Sequence, residues 1–472
     1  MKSKKKTSAL SAGIGYTVGN ILIKGINIIT LPIFSRLMTA DEFGVYNVFI
    51  SYDSILCMVI GLTLHTSIRS ANLEFRGEID RYTSSITLIY LLLAGMVTAT
   101  VTIFDNVFIN LLNFDRPILY LLILFSTASS FMMLYNTRIS LDYSYKRYLL
   151  VAGVNSVGNV ALSLLLILTI FRRHKDLGRI LGVTIVATGI AITILVEIYR
   201  RAKPQFVKRY WHYGLKYSLP IVPHGISQVL LAQFDRIMIR SMVSNAAAGI
   251  YSLAANIKLI LTVITTSISN AWSTWFYDEM DKENFNDIQR RATQLSALFA
   301  ILTIGVMAIS PELVIVLGGS VYADAKYVVI PMVLDAFLLF LYDLVATGEY
   351  YARKTVYVMF GTVAAAILNL VLNYIFILKF GFVAAAYTTL VAYVCYFVLH
   401  VVISRYFTGF FIIPMKWLAI ILLIVAGVAV VNLILIEYLL MRWCICVVIV
   451  FLMGASLLNS VGPNIKWLLK EK

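Results

Sequence analysis

Several ionisable side chains lie inside apolar runs of the sequence that are long enough to cross a bilayer. Lys24, Asp53, Lys258, Asp335 and Asp343 are all placed in this way. A charge in hydrocarbon is costly, so such a group usually faces a partner or a water-filled cavity. Lysines placed there could bind an anion, and a buried carboxyl could carry a proton or help to bind sodium. The pattern therefore indicates binding and ion movement.

Sequence signatures of catalysis are absent. The chain has neither a glycine-rich phosphate loop nor an HExxH-type zinc motif. Its four cysteines lie in apolar runs and form no metal-ligand or disulfide pattern. We therefore expect a protein that is not an enzyme and that needs no metal and no cofactor, apart from coupling to protons or sodium.

Membrane helices must position the ionisable side chains. The chain has 472 residues, of which 60% are hydrophobic and 13% charged, and its mean hydropathy is +0.86. A soluble domain cannot bury so much apolar surface. Between Ala9 and Ser460 we count about fourteen runs that are long enough to span a bilayer. The sequence therefore predicts an all-α polytopic membrane protein.

The basic residues predict the orientation of the chain. A net charge of +15 would suggest nucleic acid as the partner of a soluble protein, but in a membrane protein Lys and Arg gather in cytoplasmic loops. With the N-terminus in the cytoplasm and the sides alternating, most of them fall on the cytoplasmic side. We therefore expect both termini there and no nucleic-acid partner. One outer loop opposes this assignment, because it carries Arg172, Arg173, Lys175 and Arg179.

One stretch of the sequence occurs twice, as Lys24–Asp53 and again as Gln228–Lys258. Each copy has an apolar helix, a short polar elbow with an arginine, and a Gly-Val-Tyr or Gly-Ile-Tyr triplet in the next apolar helix. The aligned pairs are Arg36 with Arg240, Gly44 with Gly249, and Tyr46 with Tyr251. Internal duplication is typical of secondary transporters, whose halves face each other across a central site. We predict two pseudo-symmetric six-helix lobes, residues 1–203 and 204–405, around a central cavity, followed by two helices in residues 406–472.

The first helix of each lobe carries a polar stripe at helical spacing. The stripe residues are Tyr16, Asn20, Lys24 and Asn27 in the first span and His224, Gln228 and Asp235 in the seventh. On the next helix of each lobe, Asp53 aligns with Lys258. We expect these side chains to line the central cavity, with Asp53 and Lys258 pairing in one state. The alternatives are hydrogen bonds in a buried helix seam and a static Asp53–Lys258 ion pair that holds the lobes together.

Later spans carry two further polar sets. The tenth span contains Asp335 and Asp343 on roughly one side of a helix, and Glu349 beyond them. The two aspartates are candidates for ion coupling, with Asp343 deeper in the membrane. The alternative is that Asp335 and Glu349 are simply hydrated near the membrane interfaces. Asparagine pairs one helical turn apart recur in two spans, and we interpret them as links between neighbouring helices. These pairs are Asn155 with Asn159 and Asn369 with Asn373.

The repeated stretch resembles a known family. Asp235-Arg236, followed after a short loop by the segment Gly249–Ala254, is similar to the centre of polysaccharide-type flippases. These flippases belong to the multidrug/oligosaccharidyl-lipid/polysaccharide exporter superfamily. Two further segments, Phe34–Tyr46 and Asn369–Tyr387, resemble the opening of that family and its eleventh and twelfth helices. The resemblance covers most of the chain, but none of its motifs identifies the sugar.

The resemblance implies a fold and a substrate. The fold is fourteen helices in two six-helix lobes plus two C-terminal helices. The substrate is an undecaprenyl-diphosphate-linked oligosaccharide, moved by alternating access from the cytoplasmic to the outer leaflet of a bacterial cell membrane. Cationic side chains suit the diphosphate, so Lys24 and Lys258 are its candidates, with Arg69 near the cytoplasmic mouth. The implied partners are membrane lipid, a polysaccharide polymerase and other assembly proteins.

Two other functions stay open beside a flippase for O-antigen, capsule or exopolysaccharide. A drug or cation exporter of the same superfamily is favoured by anionic cavity residues, whereas Lys24 and Lys258 favour an anion. A membrane-embedded sugar polymerase or ligase usually needs a large outer loop with catalytic basic residues. The loop from Arg172 to Arg179 is too short for that role.

Overall fold

The computed structural model describes residue 19 and residues 25–26, 28–142 and 144–461, and this part of the chain is helical without a β-strand. A helix satisfies its backbone hydrogen bonds within one segment, as hydrocarbon requires. The helices are α1 Ile28–Leu37, α2 Ala40–Gly61, α3 Ser67–Glu74, α4 Ile79–Ile103, α5 Asp105–Leu112, α6 Arg116–Ser140, α7 Tyr145–Thr169, α8 Lys175–Arg201, α9 Lys208–Ser218, α10 Val222–Met242, α11 Asn245–Asp281, α12 Phe285–Gly318, α13 Lys326–Tyr351, α14 Thr355–Phe380, α15 Phe382–Thr408, α16 Met415–Ile434 and α17 Leu439–Val461.

Twelve helices in the described part of the chain are long and apolar enough to cross a membrane. They are α2, α4, α6 to α8 and α11 to α17, and each coincides with one predicted span. The first predicted span corresponds to α1, whose described residues are too few to cross a membrane. The seventh predicted span corresponds to α10. α10 contains Asp235, Arg236 and Arg240, which make it less apolar than the others. The prediction of an all-α polytopic membrane fold is confirmed.

By its contacts the chain divides into two compact units, Met1–Gly249 and Ile250–Lys472. α10 belongs to the first unit because it packs along α2, although the sequence repeat assigns it to the second half. α11 begins at Asn245, in the first unit, and continues into the second. The division of the chain at residues 203 and 405, which follows from the repeat, stays a prediction.

In the first unit, α2 packs against α6, α8 and α10. Where α6 meets α8, Ile190, Ile194 and Ile198 pack with Tyr135 and Ile139 in a buried cluster. The spacing of four residues places the three isoleucines on one face of α8, which explains why this face is buried. Other faces of these spans carry exposed leucine, isoleucine and valine side chains, as lipid-facing surfaces do.

In the second unit, α13 lies at the centre and packs against α12, α14, α15 and α16. Its residues are buried along most of its length, as expected for a helix that is apolar on all sides. The ring of Phe340 stacks on Phe299 of α12, with ring centroids 4.0 Å apart. α16 and α17 pack on α12. This arrangement encloses the polar side chains of α13 between helices.

Candidate functional site

The two glycines of the sequence repeat touch each other. A Cβ atom at Gly44 would lie 1.9 Å from the carbonyl oxygen of Asn245, and a Cβ atom at Gly249 would lie 2.1 Å from the carbonyl oxygen of Ala40. Each of these carbonyls lies four residues before the other glycine, so the contact has the same form from both sides. Because backbone meets backbone here, only glycine fits at either position.

The helices that cross at these glycines begin with equivalent caps. The Thr39 hydroxyl accepts a hydrogen bond from the backbone N–H of Glu42 at 3.2 Å, and Glu42 accepts one in return from the Thr39 N–H at 2.8 Å. The Ser244 hydroxyl accepts from the backbone N–H of Ala247 at 3.1 Å. Thr39 and Ser244 align at the same offset as the glycines, so the repeat preserves both the start of the helix and its crossing point.

Arg240, the elbow arginine of the second copy, has a structural role within the first unit. Its Nε donates to Asn245 Oδ1 at 2.7 Å, another guanidinium nitrogen donates to the carbonyl oxygen of Asn113, and the guanidinium lies 4.1 Å from the ring centroid of Phe114. Asn245 in turn donates to Asp41 at 3.3 Å. Arg240 therefore fixes the end of α10 against the α5–α6 loop, while its counterpart Arg36 is exposed.

Two side chains of the basic loop from Arg172 to Arg179, which is predicted to lie on the outer side, contact the first elbow. The guanidinium of Arg179 lies 3.7 Å from the ring centroid of Phe34 and 3.9 Å from that of Tyr46. Lys175 Nζ donates to the carbonyl oxygen of Leu37 at 2.6 Å, at the end of α1, where a cation is favourable. Arg179 and Lys175 therefore take part in packing, and Tyr46 of the motif contacts Arg179.

Polar pairs join α11 to α13 in the second unit. Lys258 Nζ lies 3.1 Å and 3.3 Å from the two carboxylate oxygens of Asp335, whose side chain is only 2% exposed. Two turns further along α13, Asp343 accepts a hydrogen bond from the Ser269 hydroxyl at 2.9 Å. We call these four residues the α11–α13 seam. It brings together one predicted substrate-binding cation and both predicted ion-coupling carboxylates, so Asp335 is not simply hydrated.

Asp53, the position that aligns with Lys258, has neutral surroundings in the first unit. Its carboxylate accepts a hydrogen bond from the Ser129 hydroxyl of α6 at 3.4 Å, and its side chain is buried. The predicted pairing of Asp53 with Lys258 stays a hypothesis.

The remaining predicted cavity residues include three that lie outside the described part of the chain. Asn20, Lys24 and Asn27 fall outside the described residues. On α10, Gln228 is exposed, His224 is half-buried and Asp235 is buried. The remaining motif residues are Arg236, which donates to Gln233, and Tyr251, which is buried. Arg69 is exposed on α3. Their place in a substrate cavity stays a prediction.

The asparagine pair in the second unit links two helices, as predicted. Asn369 donates to the Thr389 hydroxyl at 2.8 Å, Asn373 donates to Asn369 at 3.2 Å, and the Thr388 hydroxyl donates to Asn373. These bonds join α14 to α15. In the first unit, Asn159 donates to Asn155 of the same helix at 3.3 Å.

One buried polar pair was missed by the sequence reasoning. His400 of α15 lies 2.7 Å from Glu349 of α13, and neither side chain is exposed to solvent. Glu349 is therefore not hydrated near an interface. A histidine in the middle of an apolar run was the available signal, and it could have been read as a partner for a carboxylate.

Outside the spans, a short polar cluster attaches α9 to the start of α4. Glu78 accepts hydrogen bonds from the Tyr210 hydroxyl and the Arg209 guanidinium. These bonds hold the pKa of the Glu78 carboxyl below its ordinary value.

Comparison with known proteins gives a consistent result. Residues 10–276 match the family described as "Polysaccharide biosynthesis protein". An Lsg locus protein of Haemophilus influenzae is 23% identical over 351 residues, which are 72% of this chain and 84% of that protein. The "Probable low-salt glycan biosynthesis flippase Agl15" of Haloferax volcanii is 24% identical over 221 residues, which are 45% of this chain and 46% of that protein.

Solved structures share the fold at low sequence identity. The "Lipid II flippase MurJ, inward closed conformation" has a TM-score of 0.73 and 14% identity, covering 95% of this chain and 99% of that chain. An inward-facing multidrug resistance MATE family transporter of the MOP superfamily has a TM-score of 0.61 and 12% identity, covering 84% of this chain and 98% of that chain. At these identities the likeness concerns the fold alone.

Proposed function

The chain belongs to the polysaccharide biosynthesis protein family, and we therefore propose that it is a flippase for a lipid-linked glycan. The proposed substrate is an undecaprenyl-diphosphate-linked oligosaccharide, which moves from the cytoplasmic to the outer leaflet of a bacterial cell membrane. Both termini of the protein lie in the cytoplasm in this proposal. The glycan serves the synthesis of O-antigen, capsule or exopolysaccharide, and a polymerase receives it.

The observation that carries this proposal is the cation of the α11–α13 seam. Lys258 lies within a membrane-spanning helix, its side chain is 19% exposed, and Asp335 lies beside it. A diphosphate offers oxygen atoms of higher negative charge than one carboxylate and can compete for the ammonium group. In the proposed cycle Lys258, with Lys24 and Arg69, binds the diphosphate, and Asp335 neutralises Lys258 when no substrate is present.

No covalent bond changes in this mechanism. The protein exchanges the aqueous surroundings of the sugar and diphosphate for polar side chains, and the prenyl tail stays in lipid. Alternating access by the two duplicated halves would expose the site first to one leaflet and then to the other.

A cation exporter of the same superfamily is the second candidate. The carboxylates of Asp53, which is buried, and Asp343, which is partly exposed, are each hydrogen-bonded to a serine hydroxyl. They favour this function, because an organic cation would find a counter-charge there.

The test is deletion of the gene, followed by measurement of lipid-linked oligosaccharide in each leaflet. The deletion strain is complemented with wild type, Lys24→Ala, Lys258→Ala, or the matched control Lys326→Ala, a lysine paired with Glu437 near a helix end. We expect complete repeat units to accumulate on the cytoplasmic side and to be cleared by wild type and Lys326→Ala only.

Other outcomes would replace the proposal. Normal glycan export with altered resistance to cationic dyes would identify a cation exporter. Unpolymerised repeat units on the outer leaflet of the deletion strain would mean that this protein acts as a polymerase instead.

A further inference from the structure

The second half of α11 has a polar side that is not covered by other helices. Thr262, Thr266, Asn270 and Thr274 follow one another at intervals of four residues, so they lie along one side of the helix. Thr262 is half-buried, and the other three side chains are exposed. We call these four residues the α11 polar face. At the rise of an α-helix, the face extends for about 18 Å along a membrane-spanning segment.

The exposed sides of other spans are apolar. On α14, for example, Ile367, Val371 and Leu378 are exposed, as on a helix that faces lipid tails. Hydroxyl and amide groups find no hydrogen-bond partner among lipid tails, so polar side chains within a span face the protein interior or water. The α11 polar face therefore borders a water-filled path and not the lipid.

The adjacent side of α11 is held against α13. Trp272 Nε1 donates to the carbonyl oxygen of Leu344 at 3.1 Å, and the Ser269 hydroxyl donates to Asp343 at 2.9 Å. Thr265, four residues before Ser269, is only 4% exposed. These contacts fix the rotation of α11 about its own axis, and they thereby decide which of its side chains are exposed.

The hydroxyl groups of the α11 polar face are arranged to accept hydrogen bonds. The Thr262 hydroxyl donates to the carbonyl oxygen of Leu259 at 2.9 Å, and the Thr266 hydroxyl donates to that of Thr262 at 2.8 Å. The Thr274 hydroxyl donates to the carbonyl oxygen of Asn270 at 3.4 Å. Because each hydroxyl uses its one proton within the helix, its oxygen can still accept. The exposed Asn270 amide can both donate and accept, so the face suits a neutral ligand with many hydroxyl donors.

A cation and an aromatic ring lie at the two ends of the α11 polar face. Lys258 lies one turn before Thr262, and its side chain is 19% exposed. Tyr277 lies three residues after Thr274 and is 38% exposed, with its ring centroid 5.5 Å from that of Tyr351. An exposed aromatic ring offers an apolar surface together with a polar tip. The order of cation, neutral acceptors and aromatic ring matches a diphosphate followed by a chain of sugars.

We propose that the α11 polar face is a glycan-binding surface and a determinant of which oligosaccharide the protein carries. The inference rests on the proposed flippase function. The diphosphate binds at Lys258, and the sugars extend from there along the α11 polar face towards Tyr277. Sugar hydroxyls donate to the threonine oxygens and exchange hydrogen bonds with Asn270. An oligosaccharide whose hydroxyls are placed differently leaves these groups unpaired and binds more weakly.

Thiol labelling of the full-length protein in lipid nanodiscs tests the surface directly. Asn270→Cys and Thr274→Cys probe the α11 polar face, and Val371→Cys is the matched control on a lipid-facing side. Mass spectrometry assigns a charged maleimide to each cysteine. We expect the two α11 variants to react about tenfold faster than Val371→Cys, because only water admits the reagent.

Protection from labelling then identifies the ligand. One probe is the lipid-linked oligosaccharide that accumulates in the deletion strain, and the other is undecaprenyl diphosphate, which has no sugar. We expect the first probe to slow the labelling of Asn270→Cys and Thr274→Cys and the second to leave it unchanged.

Flipping kinetics in liposomes of phosphatidylethanolamine and phosphatidylglycerol test the role in specificity, with the same lipid-linked oligosaccharide as the probe. Thr266→Val removes an acceptor at nearly constant volume, and Thr265→Val makes the same change at the adjacent buried residue. Loss of one hydrogen bond should raise the KM of Thr266→Val by about three- to tenfold with kcat unchanged. Thr265→Val should keep the wild-type KM, since a purely structural defect lowers the amount of active protein and not its affinity.

Three results would overturn the glycan-binding surface while leaving the flippase function intact. The first is labelling of both α11 variants as slow as that of Val371→Cys, which would place this side of α11 in lipid. The second is equal protection by undecaprenyl diphosphate, or no protection by a lipid-linked oligosaccharide that wild type flips. The third is an unchanged KM in Thr266→Val. Absence of wild-type flipping of that oligosaccharide would contradict the proposed function and the glycan-binding surface together.

Discussion

Asp53 and Lys258 occupy equivalent positions of the sequence repeat, but their surroundings differ. In the first unit, a carboxylate on α2 accepts a hydrogen bond from a serine of α6. In the second unit, a lysine on α11 forms an ion pair with an aspartate of α13. At the start of the same two helices, by contrast, Gly44 and Gly249 touch in the same way from both sides. The two copies of the repeat therefore share a backbone contact, while the polar groups at their aligned positions differ.

The difference has a physical origin. A helix crossing at backbone contact tolerates no side chain, so both copies need glycine. A polar position inside a span needs only a partner of matching charge or hydrogen bonding, and that partner can come from a different residue type in each unit. The second unit holds an ion pair at this position, and the first unit holds a carboxylate with a hydroxyl.

The largest effect is expected from breaking the ion pair. Lys258→Met leaves the buried Asp335 without its cation, and loss of one partner of a buried pair costs about 3–5 kcal/mol. Thermal unfolding of the purified protein measures the loss. The double variant Lys258→Met/Asp335→Leu should recover most of the stability but not glycan export. If the single variant is as stable as wild type, the pair does not hold α11 to α13.

The second-largest effect on stability is expected at the helix crossing between Gly44 and Gly249. Gly44→Ala or Gly249→Ala forces a methyl group against a carbonyl oxygen, and overpacking of this kind costs about 1–3 kcal/mol. Gly95→Ala is the matched control, because a Cβ at that helical position meets nothing within 4 Å. Yield of folded protein and its melting temperature are the measurements. Equal stability of all three variants would mean that the crossing is not close.

A smaller effect on stability is expected at Asp53, the position in the first unit that aligns with Lys258. Asp53→Asn replaces a charge that accepts one hydrogen bond from Ser129, and an amide oxygen can accept the same bond, so stability should change by about 1 kcal/mol or less. Comparison of its melting temperature with that of Lys258→Met sharpens the contrast between the units. A loss as large as that of Lys258→Met would show that Asp53 also has a charged partner.

The helix N-caps Thr39 and Ser244 are expected to differ slightly in their contributions to stability. Thr39→Ala removes a reciprocal cap and Ser244→Ala a single hydrogen bond, so we expect a loss of about 1 kcal/mol for Thr39→Ala and a smaller one for Ser244→Ala. Denaturation of the two purified variants under identical conditions measures the order, and the reverse order would contradict the cap geometry.

The smallest effect on stability is expected at Glu78, which lies outside the membrane spans, and it should depend on pH. Hydrogen bonds from Tyr210 and Arg209 lower the pKa of the Glu78 carboxyl from 4.5. Its contribution to stability is therefore complete above that pH and is lost as the pH falls through the lowered value. The melting-temperature difference between wild type and Glu78→Gln should shrink on acidification below that pH. A difference that grows on acidification would have the wrong sign.

Much of the candidate site was visible in the sequence as single residues. Lys258, Asp335 and Asp343 stood out because ionisable groups are rare in spans, and the Arg172–Arg179 loop stood out because it broke the charge rule. The sequence did not reveal that Lys258 contacts Asp335, since two other roles were expected for these residues. His400 was not singled out at all, although it is one of only five histidines.

By itself the sequence determined the membrane-spanning helices and the repeat, because the length of an apolar run and the spacing of a motif are local properties of the chain. Only the tertiary structure decided the partners of the buried charges. Lys258 and Asp335 are 77 residues apart, and Glu349 and His400 are 51 residues apart. Which groups meet across such separations depends on how α11, α13 and α15 pack together, and hydropathy and periodicity carry no information about that packing.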